Sequence, residues 1–308
     1  MPRAFKLSDR TVVMALLLGW VLTSVWPSSR LMAVSEGNDG AAQPSGQHAT
    51  LKAAAASSPD IPFSDDDPQA EHVLLDLANQ ARAQAGVPLL SLDAGLCQAA
   101  RAHAEAMFAA RQLSHRFDGE PSLPQRLATA THAQLDQEAE NVALDFNAEN
   151  GHQHLMLSPP HRANLLNPAY NVVGLGVVRS GDELYIVQDF GHALPNYSAA
   201  EVKDRIAATV AQVRHQANRP DLARRDLPTA DDAACSMAHA DKLGASSIHQ
   251  LAQRFTVLTF TSLHPEILPA EASHMLSRNN LRSFSVGACY ARTATYPTGV
   301  YWVVLSAD

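Results

Sequence analysis

Prolines bracket the run Ser158-Pro159-Pro160-His161-Arg162-Ala163-Asn164-Leu165-Leu166-Asn167-Pro168, and they constrain the fold of this 308-residue chain more than any other segment. A proline lacks the N–H that a helix ladder needs, and its ring clashes with the preceding turn. The spacing predicts a helix over 151–157 stopped by Pro159-Pro160, then a short one over 161–166 stopped by Asn167-Pro168. Two β-branched runs follow, 171–179 and 183–190, around Ser180-Gly181-Asp182, which is a hairpin pattern. Gly174 and Gly176 inside the first run imply a close approach by another backbone or side chain.

Upstream the pattern is helical. Asp67 is a good N-cap, Pro68 suits the first helical position and Gly86 lies just past the end. Between them Val73, Leu74, Leu77, Ala78 and Ala81 recur at helical spacing. Asp93 caps a second helix with an apolar stripe of Leu96, Ala99, Ala100, His103 and Met107. His103 lies on that stripe, so it reads as a satisfied core histidine. Pro124 to Ala130 reads as a short helix, and Glu140 to Leu144 as the start of a strand. Helices on both sides of a small antiparallel sheet give an α/β/α sandwich of three layers.

The chain begins as an exported protein would. Arg3, Lys6 and Arg10 precede an apolar run from Thr11 to Trp26, and Ala33-Val34-Ser35 offers a small-x-small cleavage site. That length fits either a cleaved signal or an uncleaved anchor. Residues 1–35 are therefore read as signal peptide or signal anchor. Residues 36–66, rich in Ala, Ser, Gly, Gln and Pro, are a linker too polar to offset its ordering entropy. The expected location is secreted or cell-envelope, with membrane contact only through residues 11–26. A net charge of -8 excludes a nucleic-acid surface, which needs a basic face. Of the three cysteines, Cys97 reads as a small buried residue, while Cys235 and Cys289 are candidates for a disulfide whose approach distance sequence does not supply.

The chemistry gathers on three residues from separate segments. His115 leaves the end of the second helix, Glu140 opens the expected strand, and His161 starts the short helix. Such placement suggests a polar cleft assembled by folding, flanked by Asn141 and Asn164. Two imidazoles and a carboxylate suit a divalent metal such as Zn²⁺, with His115 and His161 as candidate metal ligands. The same groups suit acid–base work, with Glu140 the candidate catalytic base. A buried polar network that only fixes loop geometry would use these residue types too. No Gly-x-Ser-x-Gly elbow and no His-Glu-x-x-His is present. His152 and His154 face different ways on a helix and read as surface residues, as do His72, His132 and His192.

Leu113-Ser114-His115, Glu140-Asn141-Val142-Ala143, the run from Ser158 to Pro168, Val173-Gly174-Leu175-Gly176-Val177 and Gln188-Asp189-Phe190-Gly191 together resemble the CAP superfamily. This superfamily comprises the cysteine-rich secretory, antigen 5 and pathogenesis-related 1 proteins, and the likeness is to its bacterial extracytoplasmic branch. The resemblance covers roughly residues 67–195 and implies the same α/β/α architecture. It also implies a cleft with two histidines and two acidic residues, of which His115, Glu140 and His161 match three. The stretch 151–157, where many members place the second acid, has no carboxylate, and Glu149 comes one helical turn too early. Leu155 replaces a common tryptophan, and Pro160 a glycine. Members are associated with lipid or sterol binding, signalling and defence, so the resemblance implies no single reaction.

Residues 199–308 carry echoes of the first half. Ala238-His239-Ala240 echoes Ala102-His103-Ala104, and His274-Met275-Leu276-Ser277 echoes the stretch 154–158. Val286-Gly287-Ala288-Cys289 and Tyr301-Trp302-Val303-Val304 echo the two hairpin strands. The expectation is a degenerate second copy of the sandwich without counterparts of His115, Glu140 or His161. The function expected is ligand binding in a His/Glu-lined cleft, through a divalent metal or without one. The ligand would be a small molecule, a lipid or an envelope component. A metal-assisted hydrolase and a purely structural interaction module are the alternatives.

Overall fold

The computed structural model describes residues 13–14, 65–244 and 247–308. The expected signal segment, its cleavage site and nearly all of the linker lie outside the described residues. What is described there is β1 (Val13–Met14), in parallel pairing with Leu258 and Thr259, and β2 (Asp65–Asp66). The sheet thus takes in the last two residues of the expected linker, since β2 pairs with Val178 and Arg179. Among the described residues no helix is long and apolar enough to cross a membrane.

In the first lobe α1 (Pro68–Ala85) starts where Asp67 accepts the Ala70 N–H and ends at Gly86, whose φ of 70° closes the helix. Its buried face is Ala70, Glu71, Leu74, Ala78 and Arg82, so the true stripe lies beside the apolar one and includes two charged residues. Arg82 is fully buried because its guanidinium donates to the carbonyls of Pro88, Leu165, Asn167 and Tyr170. After β3 (Ser91–Leu92), α2 (Ala94–Ala110) is capped by Asp93 and buries the expected stripe, together with Cys97 and Ala104. Next come α3 (Leu123–Ala130), β4 (Gln134–Asp145), α4 (Ala148–Leu157), α5 (Pro159–Leu165), β5 (Val172–Ser180) and β6 (Glu183–Leu194). Pro159 and Pro160 do more than stop α4: they form the first turn of α5, where a missing N–H costs nothing. β4 starts six residues before Glu140, and its first half lacks the β-branched residues that betray a strand.

The sheet order is β2-β5-β6-β4, with β3 added in parallel to β5, so β4 is an edge strand. One face packs on α2 and α3, through Val142 and Val187 against Ala100, Ala104 and Met107, and through Leu135 against Leu96 and Leu127. The other packs on α1, α4 and α5 through Ala143, Ile186 and Phe190. The β5–β6 hairpin turns at Gly181. Close packing of α2 on β5 requires both strand glycines: a Cβ on Gly174 would lie 2.1 Å from the Leu96 carbonyl carbon, and one on Gly176 2.2 Å from that of Ala100.

The second lobe comprises α6 (Ala199–Gln216), β7 (Ala223–Arg224), α7 (Pro228–Ala240), α8 (Ser247–Ala252), β8 (Thr256–Ser262), α9 (Ala270–Leu276), β9 (Ser283–Ala291) and β10 (Val300–Ala307). Its sheet, β1-β8-β10-β9-β7, has α6 and α9 on one face and α7 and α8 on the other. It repeats the first lobe. Ser91 and Asp93 donate to the carbonyls of Asn171 and Val173, as Ala223 and Arg225 donate to those of Arg282 and Phe284. Helices α2 and α7 end in left-handed residues, Arg111 and Asp241, and Gly287 meets the Ala230 backbone as Gly176 meets Ala100.

This register corrects two of the sequence echoes. With Arg111 matched to Asp241, His103 corresponds to Ala233 and not to His239. With Asn171 matched to Arg282, α9 corresponds to α5, so Leu276 stands for Leu165. Val257 and Leu258 then replace Glu140 and Asn141, while Ala272 replaces His161 and Met275 replaces Asn164. A disulfide joins Cys235 of α7 to Cys289 of β9, and Cys97 is free and buried.

The lobes touch at one end of α3. Arg292 donates to the carbonyls of Ala128 and Ala133 at 2.7 and 3.3 Å, and Thr298 donates to that of Leu135 at 2.9 Å. Asp136 lies between His192 of the first lobe and His264 of the second, at 2.6 and 3.2 Å.

Candidate functional site

Alternation along β4 and β6 sorts the site residues by face. Glu140 pairs with Asp189 across the strands, on the face shared by Val142 and Val187 and covered by α2. Asn141 pairs with Gln188 on the opposite face, towards α5.

On the α2 side lies a buried ionic cluster. Glu140 is 8% exposed, and both its oxygens are engaged: Oε1 with His115 Nδ1 at 2.9 Å, Oε2 with Arg126 Nη2 at 2.5 Å. Arg126 also donates to Glu120 Oε1 at 2.8 Å. His103 is buried, as its place on the apolar stripe requires, and satisfied, with Nδ1 2.6 Å from Glu120 and Nε2 2.9 Å from the Ser114 carbonyl. Burial alone would raise Glu120. The Phe117 N–H, the bond to His103 and the nearby charges outweigh it, and the carboxyl is held below its ordinary value.

His115 is the outlet of this cluster. Its side chain is 59% exposed, while its Nδ1 is tied to Glu140. A carboxylate accepts only, so Nδ1 carries the hydrogen and Nε2 is the ring nitrogen left for another partner. Carboxylates orient the imidazoles of many functional sites in this way. Glu140 therefore orients His115, and each of its oxygens already accepts one hydrogen bond.

On the α5 side, the amide groups of Asn141 and Asn164 hold backbone. Asn141 donates to the His161 carbonyl and Asn164 to Asn141 Oδ1, at 3.1 and 2.9 Å. These two predicted cleft residues fasten α5 to the edge strand, and the fastening sets where His161 stands. The His161 ring is half-buried, and burial followed by the charge of His115 lowers its pKa below the usual imidazole value. It is neutral at neutral pH.

The donor set does not fit a resident metal centre. Among the described residues no three His, Cys, Asp or Glu side chains are grouped to hold a metal ion. Glu140 is spent on Arg126 and His115, leaving two imidazoles. The Ser114 hydroxyl beside His115 donates to the Arg116 carbonyl at 2.7 Å.

Residues 75–190, which hold all these groups, match the family model described as "CAP: Cysteine-rich secretory protein family". This lobe belongs to the CAP superfamily. No curated protein matches the chain significantly. Solved structures similar to it include an outer surface protein from Borrelia burgdorferi, 17% identical, covering 43% of this chain and 98% of that one, with a TM-score of 0.40. An extracellular protein containing a SCP domain from Bacillus anthracis is 24% identical, covering 41% of each chain at a TM-score of 0.38. A cysteine-rich secretory protein from Staphylococcus aureus is 23% identical over 41% of this chain and 39% of that one, at 0.34. The chain thus spans about two fifths of the last two proteins.

The CAP lobe holds a second carboxyl opposite Glu140, on a strand and not on the helix where the family resemblance implies one. Glu149 is exposed in the first turn of α4. The second buried carboxyl is Asp189 on β6, fully buried opposite Glu140. A signal for it existed: Asp189 is the one charged residue in the run 184–190, at an inward position of a buried strand. Arg126 and Glu120 gave no such signal, because they lie on a short helix and in a loop with ordinary polar composition. Of the other histidines, His154 is mostly exposed and bonded to Asp145, whereas His152 is half-buried with a pKa lowered by burial.

Proposed function

We propose that this chain is an exported CAP-domain protein whose cleft, at the edge of β4 between His115 and His161, binds a ligand by hydrogen bonding to imidazole. The observation that carries this reading is the pose of His115: Nδ1 fixed on a buried carboxylate, in a side chain that is otherwise mostly exposed. His161 adds a second imidazole kept neutral by burial and by its neighbour. Such a pair favours a ligand that presents hydroxyl or amide donors, as envelope glycans and peptides do. Export is supported by the Cys235–Cys289 disulfide, which persists only in an oxidising compartment, and by the amino-terminal apolar run. Location outside the cytoplasm also suits an envelope ligand.

The test is titration of the protein, ¹⁵N-labelled at histidine, with N-acetylglucosamine oligomers, short peptides and, separately, Zn²⁺. Binding by at least one organic probe, with movement of the His115 Nε2 resonance and loss in the His115→Ala/His161→Ala variant, is expected. A saturable response to Zn²⁺ alone would replace this reading with a metal site built on two histidines. If no probe moves either imidazole, the ligand-binding reading fails.

A further inference from the structure

Asp189 poses a problem that the rest of the cleft does not. It is 0% exposed, and neither of its side-chain oxygens has a hydrogen-bond partner when the carboxyl is taken as ionised. Its neighbours are already engaged. Arg126 is the permanent cation of the cluster, and Glu120 and Glu140 are two carboxylates that it already contacts. His103 is taken up by Glu120 and the Ser114 carbonyl, and His115 by Glu140. An ionised Asp189 would add a buried charge with no counter-ion and no hydrogen bond, an arrangement that folded proteins avoid.

We propose that Asp189 is a carboxylic acid at neutral pH and donates its proton to Glu140, so that the pair carries one negative charge and holds His115 in its Nδ1–H form. Asp189 is thus the second acidic residue of the cleft, and a positioning residue that acts through Glu140. Independent support comes from its surroundings: burial first, then the Glu140 charge, push its pKa well above the usual carboxylate range, against the pull of Arg126. The groups facing it are Glu140 on β4, Arg126 on α3, Glu120 in the loop before α3 and, through these, His103 on α2 and His115. Pairs of carboxyls that share a proton titrate as a unit. The inference rests on the ligand-facing role of His115 only for its functional meaning. The shared proton is a property of the protein without ligand.

The experiment is ¹³C-carboxyl NMR of the ligand-free full chain across pH, with Asp189 assigned through the backbone of the wild type. Exposed aspartates should ionise near about 4, while Asp189 stays protonated through neutral pH. In Asp189→Asn the side-chain amide replaces the acid as donor, so ¹⁵N shifts should still report His115 as the Nδ1–H tautomer. Asp189→Leu, which has no donor, should alter the pH profile of His115. A wild-type Asp189 that holds its proton in the fold and loses it on unfolding also makes stability fall with pH. Relative to Asp189→Asn, the wild-type folding constant should drop by up to about tenfold per pH unit above about pH 4. Ionisation of Asp189 in the ordinary carboxylate range overturns the proposal, as does a pH-independent stability difference. Failure of every ligand probe leaves this result unaffected.

Discussion

Arg82 and Arg214 hold equivalent places in the two lobes. Each sits fully buried near the end of the first helix of its lobe and donates from Nε to the carbonyl of a proline six residues later, Pro88 and Pro220. Each also clasps two carbonyls two residues apart, Leu165 and Asn167 in one lobe, Leu276 and Arg278 in the other. The match survives where apolar similarity has faded, because a guanidinium that ends a helix and closes two loops has no apolar substitute.

Replacing Arg82 with Ala should cost about 3 kcal/mol or more, since it strands several buried carbonyls at once. Arg214→Ala should cost less, because Arg214 Nη2 has no partner while Arg82 Nη2 donates to Tyr170. Urea denaturation of the two single variants checks the order.

Arg126→Met should destabilise the protein by about 3–5 kcal/mol at neutral pH, because two buried carboxylates lose their counter-ion. The loss should shrink in acid. Glu120 is held below its ordinary value in the fold, so it contributes stability above about pH 4.3 that disappears as pH falls through its folded pKa. Melting temperatures of wild type and variant between neutral and acid pH should therefore converge.

His161 should titrate below the ordinary imidazole range, and His115→Ala should move it partly back by removing a like charge while leaving burial in place. The folded state binds this proton less readily than the unfolded chain. The His161 contribution to stability therefore falls as pH drops below about 6.5, the unfolded value. Histidine ring NMR against pH measures both effects.

Reduction of Cys235–Cys289 should lower stability by about 4 kcal/mol on a chain-entropy estimate for its loop, the two cysteines being 54 residues apart. Denaturation with and without reductant gives the difference. The CAP lobe, which contains no disulfide, should keep its own local stability.

Much of the first lobe was legible in the sequence, because its signals are local. Asp67, Asp93 and Gly86 cap helices, Gly181 turns a hairpin, and Gly174 and Gly176 mark close packing. β4 was harder to read: its first half carries charge in place of β-branching, being an edge strand whose partners come from elsewhere in the chain. The site was legible by residue type and not by role. His115 and Glu140 do meet, and His161 is near enough to feel the charge of His115, yet Arg126 and Asp189 decide what Glu140 does, and both reach it only through tertiary contacts. The second lobe was recognisable in outline but misaligned, since alanine-rich helices offer many equivalent registers and only backbone pairing selects one.

The grip of Arg292 on the Ala128 and Ala133 carbonyls bears on how this chain can be divided. The short helix it holds carries Arg126, so the carboxyl-terminal half is tied to the helix that contacts Glu140. A fragment cut at residue 195 would keep every cleft side chain and lose that support. The second lobe, which has apolar residues where the first has Glu140 and His161, thus holds the helix on which the first lobe's Glu140 depends.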